Sequence, residues 1–186
     1  MQEEIIHTLN ALNSGGTIIY PTDTIWGIGC DATDEKAVEK IYIIKQRAES
    51  KSLIILVDGW EMLQTYIENV PTKVSCIIEG SSKPTSVIYN NPNGLAKNVI
   101  AKDNTVAIRM VKDEFCKKLI AEFGKPIVST SANISGKPAP KSFDEIEKTL
   151  LEKADYVVNL HREKRSGIAS QIVRVHESGK IDFLRK

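Results

Sequence analysis

Apolar residues Ile5, Ile6, Leu9 and Leu12 recur at helical spacing over residues 3–13, and Ser14-Gly15-Gly16 stops the run. The β-branched and aromatic run 17–20, bounded by those glycines and by Pro21, has the pattern of a short buried strand. Thr22, Asp23, Thr24, Gly27 and Gly29 follow as a polar, glycine-rich loop at a strand end, the place where open α/β sheets bind ligands. Asp34 is positioned to cap a helix whose apolar residues Ala37, Val38, Ile41, Tyr42 and Ile44 keep helical spacing and which exits through Lys45-Gln46-Arg47. Residues 53–57 form a continuous apolar strand, Asp58 opens a helix bearing Met62, Leu63, Tyr66 and Ile67 that Pro71 ends, and a shorter helix over 73–79 closes at Gly80.

The second half continues the alternation. Residues 85–89 read as a strand, and Asn90-Asn91-Pro92-Asn93-Gly94 is turn chemistry, so another strand or loop pair follows. Residues 105–111 are an apolar strand interrupted by Arg109, 113–123 a helix stopped by Gly124, and 126–128 a strand leading into the polar run 129–136. After an extended linker at 137–140, Ser142 and Glu145 form a capping box that predicts a helix through Leu151. Residues 156–160, 171–175 and 180–184 are strands, with the basic loop HREKRSG between the first two. Mixing βα units with paired strands predicts a twisted α/β sheet of mixed direction with flanking helices, and without repeats or long linkers residues 1–186 read as a single domain.

Composition narrows the partners. The 186 residues are 41% hydrophobic and 26% charged, enough to bury a full core. Lys and Arg number 25 against 24 Asp and Glu, a formal net charge of +1, which lacks the global bias of a dedicated nucleic-acid binder and makes any basic surface local. Cys30, Cys76 and Cys116 are far apart, without a CxxC pair or zinc-type spacing, and read as reduced thiols of a cytosolic protein. The N-terminus carries acids where a signal peptide needs a basic flank, and no apolar run approaches the roughly 20 residues of a membrane span. The expectation is a soluble, cytoplasmic protein with no membrane partner.

The candidate chemistry is anion binding. On a continued helix Lys45 and Arg47 would lie about 200° apart, so both reach one anion only if the helix ends near Gln46; the helix dipole favours cations at that end whatever their role. Arg109 inside an apolar strand must pair or face a cavity, a requirement that a structural salt bridge and a ligand site both meet. The run Ser129-Thr130-Ser131-Ala132-Asn133-Ile134-Ser135-Gly136 offers hydroxyls and amides to phosphate or carboxylate, and is equally an ordinary Ser/Asn turn. Trp26 fits a core aromatic as well as a stacking platform. His7, His161 and His176 are scattered, which argues against a metal cluster or a Ser/His/Asp relay, and the absence of GxxxxGK[ST] and of a helix-opening GxGxxG disfavours standard kinases, ATPases and dinucleotide enzymes. What remains is a cavity rich in Thr, Ser, Asn, Lys and Arg without an evident general base.

The segments YPTDTIWGIG, IKQR, VAIRM and PIVSTSANISG, in this order, resemble the YrdC-like threonylcarbamoyl-adenylate synthases, and the resemblance covers essentially the whole chain. It implies a YrdC-like twisted open α/β sheet with a large concave, basic face. The implied activity is that of a nucleotidyltransferase making threonylcarbamoyl-AMP and pyrophosphate from L-threonine, bicarbonate and ATP. Mg²⁺ would come with ATP rather than be held directly by the protein. The product feeds threonylcarbamoyladenosine modification of tRNA, with partner proteins for the transfer step; the alternative is a module of the same fold that binds double-stranded RNA or tRNA, of the kind described as a translation factor, without synthase activity. By resemblance, Lys45 and Arg47 are the catalytic cations on the ATP phosphates, with Lys51 beside them. Thr24, Arg109, Ser129 and Ser170 bind threonine or its carbamoyl group, Arg109 taking the carboxylate. Thr105, Ser131, Asn133 and Arg185 complete the nucleotide site. Ala48 and Ser52 depart from the usual Pro and Pro or Gly of the family, SSKP from its WPGP-type turn, and Ala169-Ser170-Gln171 from its Ser-Thr pairing.

Overall fold

Asp34 and Asp113 act as the sequence pattern predicts: the first accepts from the backbone N–H of Lys36 and Ala37 at 2.9 and 3.3 Å, the second from that of Cys116 at 2.9 Å, and each starts a helix. The computed structural model describes residues 1–47, 53–165, 167–176 and 180–185; Ala48, Lys51 and Ser52 lie outside the described residues. The helices are α1 (Gln2–Asn13), α2 (Glu35–Lys45), α3 (Trp60–Tyr66), α4 (Lys73–Gly80), α5 (Glu114–Phe123) and α6 (Lys148–Lys153). The strands are β1 (Ile18–Tyr20), β2 (Gly27–Gly29), β3 (Ile54–Val57), β4 (Thr85–Asn90), β5 (Thr105–Met110), β6 (Ile127–Ser131), β7 (Tyr156–Val157), β8 (Gln171–Val175) and β9 (Ile181–Arg185).

Among the described residues these strands form one mixed sheet in the order β7-β1-β2-β6-β3-β5-β4-β8-β9. Parallel pairs (β1 with β7, β3 with β5, β4 with β8) sit among antiparallel ones, as the alternation of βα units and hairpins implied. One face carries Ile19, Ile28, Val128, Ile55, Val57, Val106, Ile108, Val87, Tyr89 and Val173, all buried in the main core, where α2 contributes Ala37, Val38 and Ile41. On the opposite face Ile18, Tyr20, Leu56 and Ile127 are buried in a second cluster with Ile5 and Leu12 of α1 and Phe115, Leu119 and Ile120 of α5. That second layer covers only part of its face, and the remainder is where the polar strand residues lie. No helix among the described residues is long and apolar enough to cross a membrane.

Two expectations are corrected. The stretch expected as one loop contains β2, which lies inside the sheet: it pairs antiparallel with β1 through Ile18↔Gly29 and Tyr20↔Gly27, and with β6 through Gly27↔Ser131. Its glycines are there for room. A Cβ on Gly29 would lie 2.1 Å from the Val128 carbonyl oxygen and 3.0 Å from the Tyr20 ring, so the close approach of β1 and β6 requires a residue without one. The helix expected from Ser142 begins instead at Lys148. Ser142 makes no side-chain cap, Glu145 accepts from the Lys141 N–H at 2.8 Å, and the turn Phe143–Glu145 ends at the extended, buried Ile146. Burying Ile146 against the main core interrupts a helix that the local pattern alone would continue.

Candidate active site

Alternation along β5 sends Val106 and Ile108 into the main core and Thr105, Ala107 and Arg109 to the other face. The side chain of Arg109 is almost fully buried there, and its Nη1 donates to Asp23 Oδ1 at 2.5 Å, an ion pair that ties β5 to the β1–β2 connection. Its Nε–H is buried with no hydrogen-bond partner. A buried guanidinium whose hydrogen bonding is incomplete favours an anion beside it. It lines a cavity of about 260 Å³ together with Thr24, Gly27, Arg47, Ser129, Thr130, Ser131, Ser170 and Arg185.

Each of these arrives by a different local device. Ser129 and Ser131 alternate along β6 with the core residue Val128, and Ser129 lies beside the Tyr20 hydroxyl, whose pKa burial pushes well above the ordinary phenol value. Thr24 is held by the turn of residues 22–25, in which Thr22 Oγ1 lies 2.8 Å from Thr24 Oγ1. The first residue of β8 follows Ser170, whose Oγ lies 2.9 Å from that of Ser86 on β4 and accepts from Arg185 Nη2 at 3.2 Å, while Arg185 Nε donates to the Ser170 carbonyl at 2.8 Å. Burial, and then the neighbouring Arg109, lower the pKa of Arg185.

The helix end settles the geometry of the two α2 cations. α2 stops at Lys45 because Gln46 turns left-handed at φ 49°, with the Gln46 and Arg47 N–H groups closing on the carbonyls of Ile43 and Tyr42. Arg47 thereby reaches the cavity wall, with its pKa lowered by burial. Lys45 is turned inward: its Nζ donates to the carbonyl oxygens of Ser131 and, at 2.6 Å, Asn133, so it braces the turn after β6. Burial and then Arg47 push its pKa down to about 7. Asn133 donates Nδ2 to the carbonyls of Ile134 and Lys137 at 3.0 and 2.7 Å, and its Oδ1 is buried without a partner.

Of the residues chosen from sequence, Thr24, Arg47, Arg109, Ser129, Ser131, Ser170 and Arg185 line this one cavity. Lys45 and Asn133 stand behind it, linked to it through Ser131. Thr105 donates Oγ1 to Asp103 at 2.7 Å and lies four residues, about 13 Å, up β5 from Arg109. Lys51 falls outside the described residues. Thr130, which lines the cavity, and Asp23 and Ser86, which contact its residues Arg109 and Ser170, lie outside the set that the sequence marks. Asp23 carries no sign of a partner 86 positions away. Ser86 looks like any strand serine until the register sets it opposite Arg109 and beside Ser170. A polar residue on the same strand face as other polar residues was the available signal for Ser86.

An α/β sheet with one face covered and, on the partly covered other face, a cavity of arginines and hydroxyls defines a class of anion-binding proteins. A family model named Sua5/YciO/YrdC, described as telomere recombination, matches residues 10–186, and the chain belongs to that family. A threonylcarbamoyl-AMP synthase of Pseudoalteromonas translucida is 35% identical over 164 residues, covering 85% of this chain and 86% of that protein. The crystal structure of P. abyssi Sua5 complexed with L-threonine superposes with a TM-score of 0.85 at 26% identity, covering 97% of this chain and 53% of that one. E. coli YciO shares the fold, with a TM-score of 0.85 at 19% identity over 100% of this chain and 90% of its own. This chain thus spans about half the length of the P. abyssi protein.

Proposed function

We propose that this protein is an ATP-dependent L-threonylcarbamoyl-adenylate synthase, a nucleotidyltransferase acting in the cytoplasm. The observation that carries the reading is the buried Arg109, with one donor spent on Asp23 and its Nε–H unspent, at the wall of a cavity shared with Arg47, Arg185 and five hydroxyl side chains. A forked guanidinium suits the carboxylate of an amino acid. Arg47 and Arg185, with the expected basic character of the concave face, suit the phosphates of ATP.

The chemistry agrees with this inventory. A threonine N-carbamate is already an anion, so its oxygen attacks the α-phosphorus as the bond to the pyrophosphate oxygen breaks. The site must align the two reactants and neutralise charge, and no proton need be removed by a side chain. Among the described residues lining the cavity there is no His, Asp or Glu. Lys45 contributes by holding the Ser131 and Asn133 carbonyls, which sets the turn against which a phosphate would rest. Of the neutral oxygens here, the Ser131 hydroxyl lines the cavity and fits an ion carried by phosphates. Mg²⁺ bound with ATP would supply charge neutralisation on the leaving pyrophosphate. The product would pass to partner proteins that transfer it to tRNA.

The test is pyrophosphate release from ATP by purified protein with Mg²⁺ and bicarbonate, with and without L-threonine and with L-serine as control. Release that requires both threonine and bicarbonate is the expected result. No release, with duplex RNA or tRNA still bound, would replace the synthase with an RNA-binding module.

A further inference from the structure

Strand β8 is set against β4 by bonds that lie outside the cavity. The Gln171 backbone N–H donates to the Pro84 carbonyl at 2.9 Å, and its side-chain Nε2 donates to Thr85 Oγ1 at 2.7 Å and to Ser81 Oγ at 3.0 Å. With Thr85 opposite Gln171 and Val87 opposite Val173, the register is held on both sides of Ser86, and the pairing does not need the Ser86 hydroxyl. That hydroxyl is nevertheless fully buried, and among the described residues it bonds only to Ser170 Oγ, at 2.9 Å. Ser170 lines the cavity and contacts Arg185 twice: its Oγ accepts from Nη2 at 3.2 Å and its carbonyl accepts from Nε at 2.8 Å. The carbonyl contact survives any rotation of the serine side chain, whereas the hydroxyl contact requires one rotamer of three. The bond to Ser86 selects that rotamer, whichever of the two hydroxyls supplies the proton.

We infer that Ser86 is a positioning residue for the reaction in this cavity: by holding the Ser170 side chain in one rotamer, it fixes both a hydroxyl of the cavity wall and the direction of the Arg185 guanidinium. The inference rests on the reading of this cavity as the site of adenylate formation. Ser86 is not itself part of the cavity wall, so its effect passes through Ser170 and requires the Ser170 hydroxyl. Without Ser86 the sheet keeps its register, the Ser170 hydroxyl turns freely and Arg185 loses one of its two contacts. A site that works by aligning two reactants loses rate when such groups are misdirected.

The experiment is a double-mutant cycle on the wild type, Ser86→Ala, Ser170→Ala and the double variant. It reads kcat/KM in pyrophosphate release and ATP affinity by calorimetry, the second so that the cycle closes even where turnover is too slow to measure; urea unfolding shows that each variant is folded. Ser86→Ala is expected to lower kcat/KM and ATP affinity about three- to tenfold, the value of one neutral hydrogen bond. Ser170→Ala is expected to cost at least as much. The double variant is expected to lie within about twofold of Ser170→Ala alone, because Ser86 has nothing left to hold once the Ser170 hydroxyl is gone. Losses that multiply in the double variant would show that Ser86 acts independently of Ser170 and overturn its positioning role, as would wild-type values in a folded Ser86→Ala. Ser86→Cys, which replaces the hydroxyl with a weakly bonding thiol, is expected to reproduce the loss and supplies the same cycle if Ser86→Ala does not fold. Wild-type protein without threonine-dependent release would instead overturn the synthase reading, and the role of Ser86 with it.

Discussion

At the scale of single residues, Arg109, Arg47 and Lys45 are three cations in three different situations. Arg109 is fixed by Asp23 and has a buried Nε–H without a partner, so geometry and charge matter together. Arg109→Lys retains the charge and loses the fork; the threonine KM is expected to rise about ten- to a hundredfold, the equivalent of a charge-assisted bond of about 1.5–3 kcal/mol, with a smaller change for ATP. Equal weakening of both substrates, measured by steady-state kinetics, would count against a carboxylate role. Arg47→Ala is expected to abolish adenylate formation while circular dichroism stays native; a folded variant that still makes product would remove Arg47 from the phosphate site. Lys45 has its folded pKa at about 7, below the unfolded value near 10.4. Between those two values the unfolded chain holds a proton that the folded one lacks, so stability rises with pH across that window, by up to about 1.4 kcal/mol per unit. In urea unfolding from pH 7 to 9, the difference in stability between wild type and Lys45→Met should grow in favour of the wild type; a constant difference would show that Lys45 stays charged. Arg109 was legible in the sequence as an anomaly, because a guanidinium in an apolar run demands an explanation, but its partner was not, because Asp23 is a residue of another strand's loop.

At the scale of elements, the glycines of β2 carry the lesson. Glycine is rare inside strands, so the sequence pattern predicts a loop at Gly27 and Gly29, yet here glycine lets the Tyr20 ring and the β6 backbone close on β2 from both sides. Gly29→Ala places a Cβ 2.1 Å from a backbone oxygen that no rotamer can move, and is expected to cost about 3 kcal/mol in urea unfolding. Gly80→Ala, where a Cβ meets nothing within 4 Å, is the control and should leave the midpoint near wild type. α2, by contrast, was legible almost residue by residue: its cap, its buried stripe and the need for a stop near Gln46 are all local properties. The late start of α6 was not, since the burial of Ile146 that interrupts the predicted helix depends on what lies beneath it.

At the scale of the whole molecule, the cavity draws residues from the β1–β2 connection, β5, β6, the end of α2 and the β8–β9 pair, so it joins segments from the two halves of the sheet. Ligands filling it should stabilise the fold as a unit. Threonine and ATP together, at an effective excess of about 100 over their dissociation constants, are expected to add roughly 2.7 kcal/mol, a shift in Tm of about 5–10 °C for a chain of this size. A thermal scan with L-serine in place of threonine gives the comparison; no shift with either amino acid would argue that Arg109 serves only its bond to Asp23.

The sequence by itself determined the elements whose signals are local: capped amphipathic helices, apolar strands and the family pattern carried by YPTDT, KQR, VAIRM and STSAN. It also marked most of the cavity residues, because hydroxyls and arginines at strand ends are conspicuous against an apolar background. Only the tertiary structure decided that Gly27–Gly29 is an inner strand, that Lys45 turns away to brace backbone carbonyls while Arg47 reaches the cavity, and that Asp23 and Ser86 belong to the site. Those outcomes depend on strand order and register, which bring together groups from distant parts of the chain; a spacing along the sequence does not encode which strand will lie beside which.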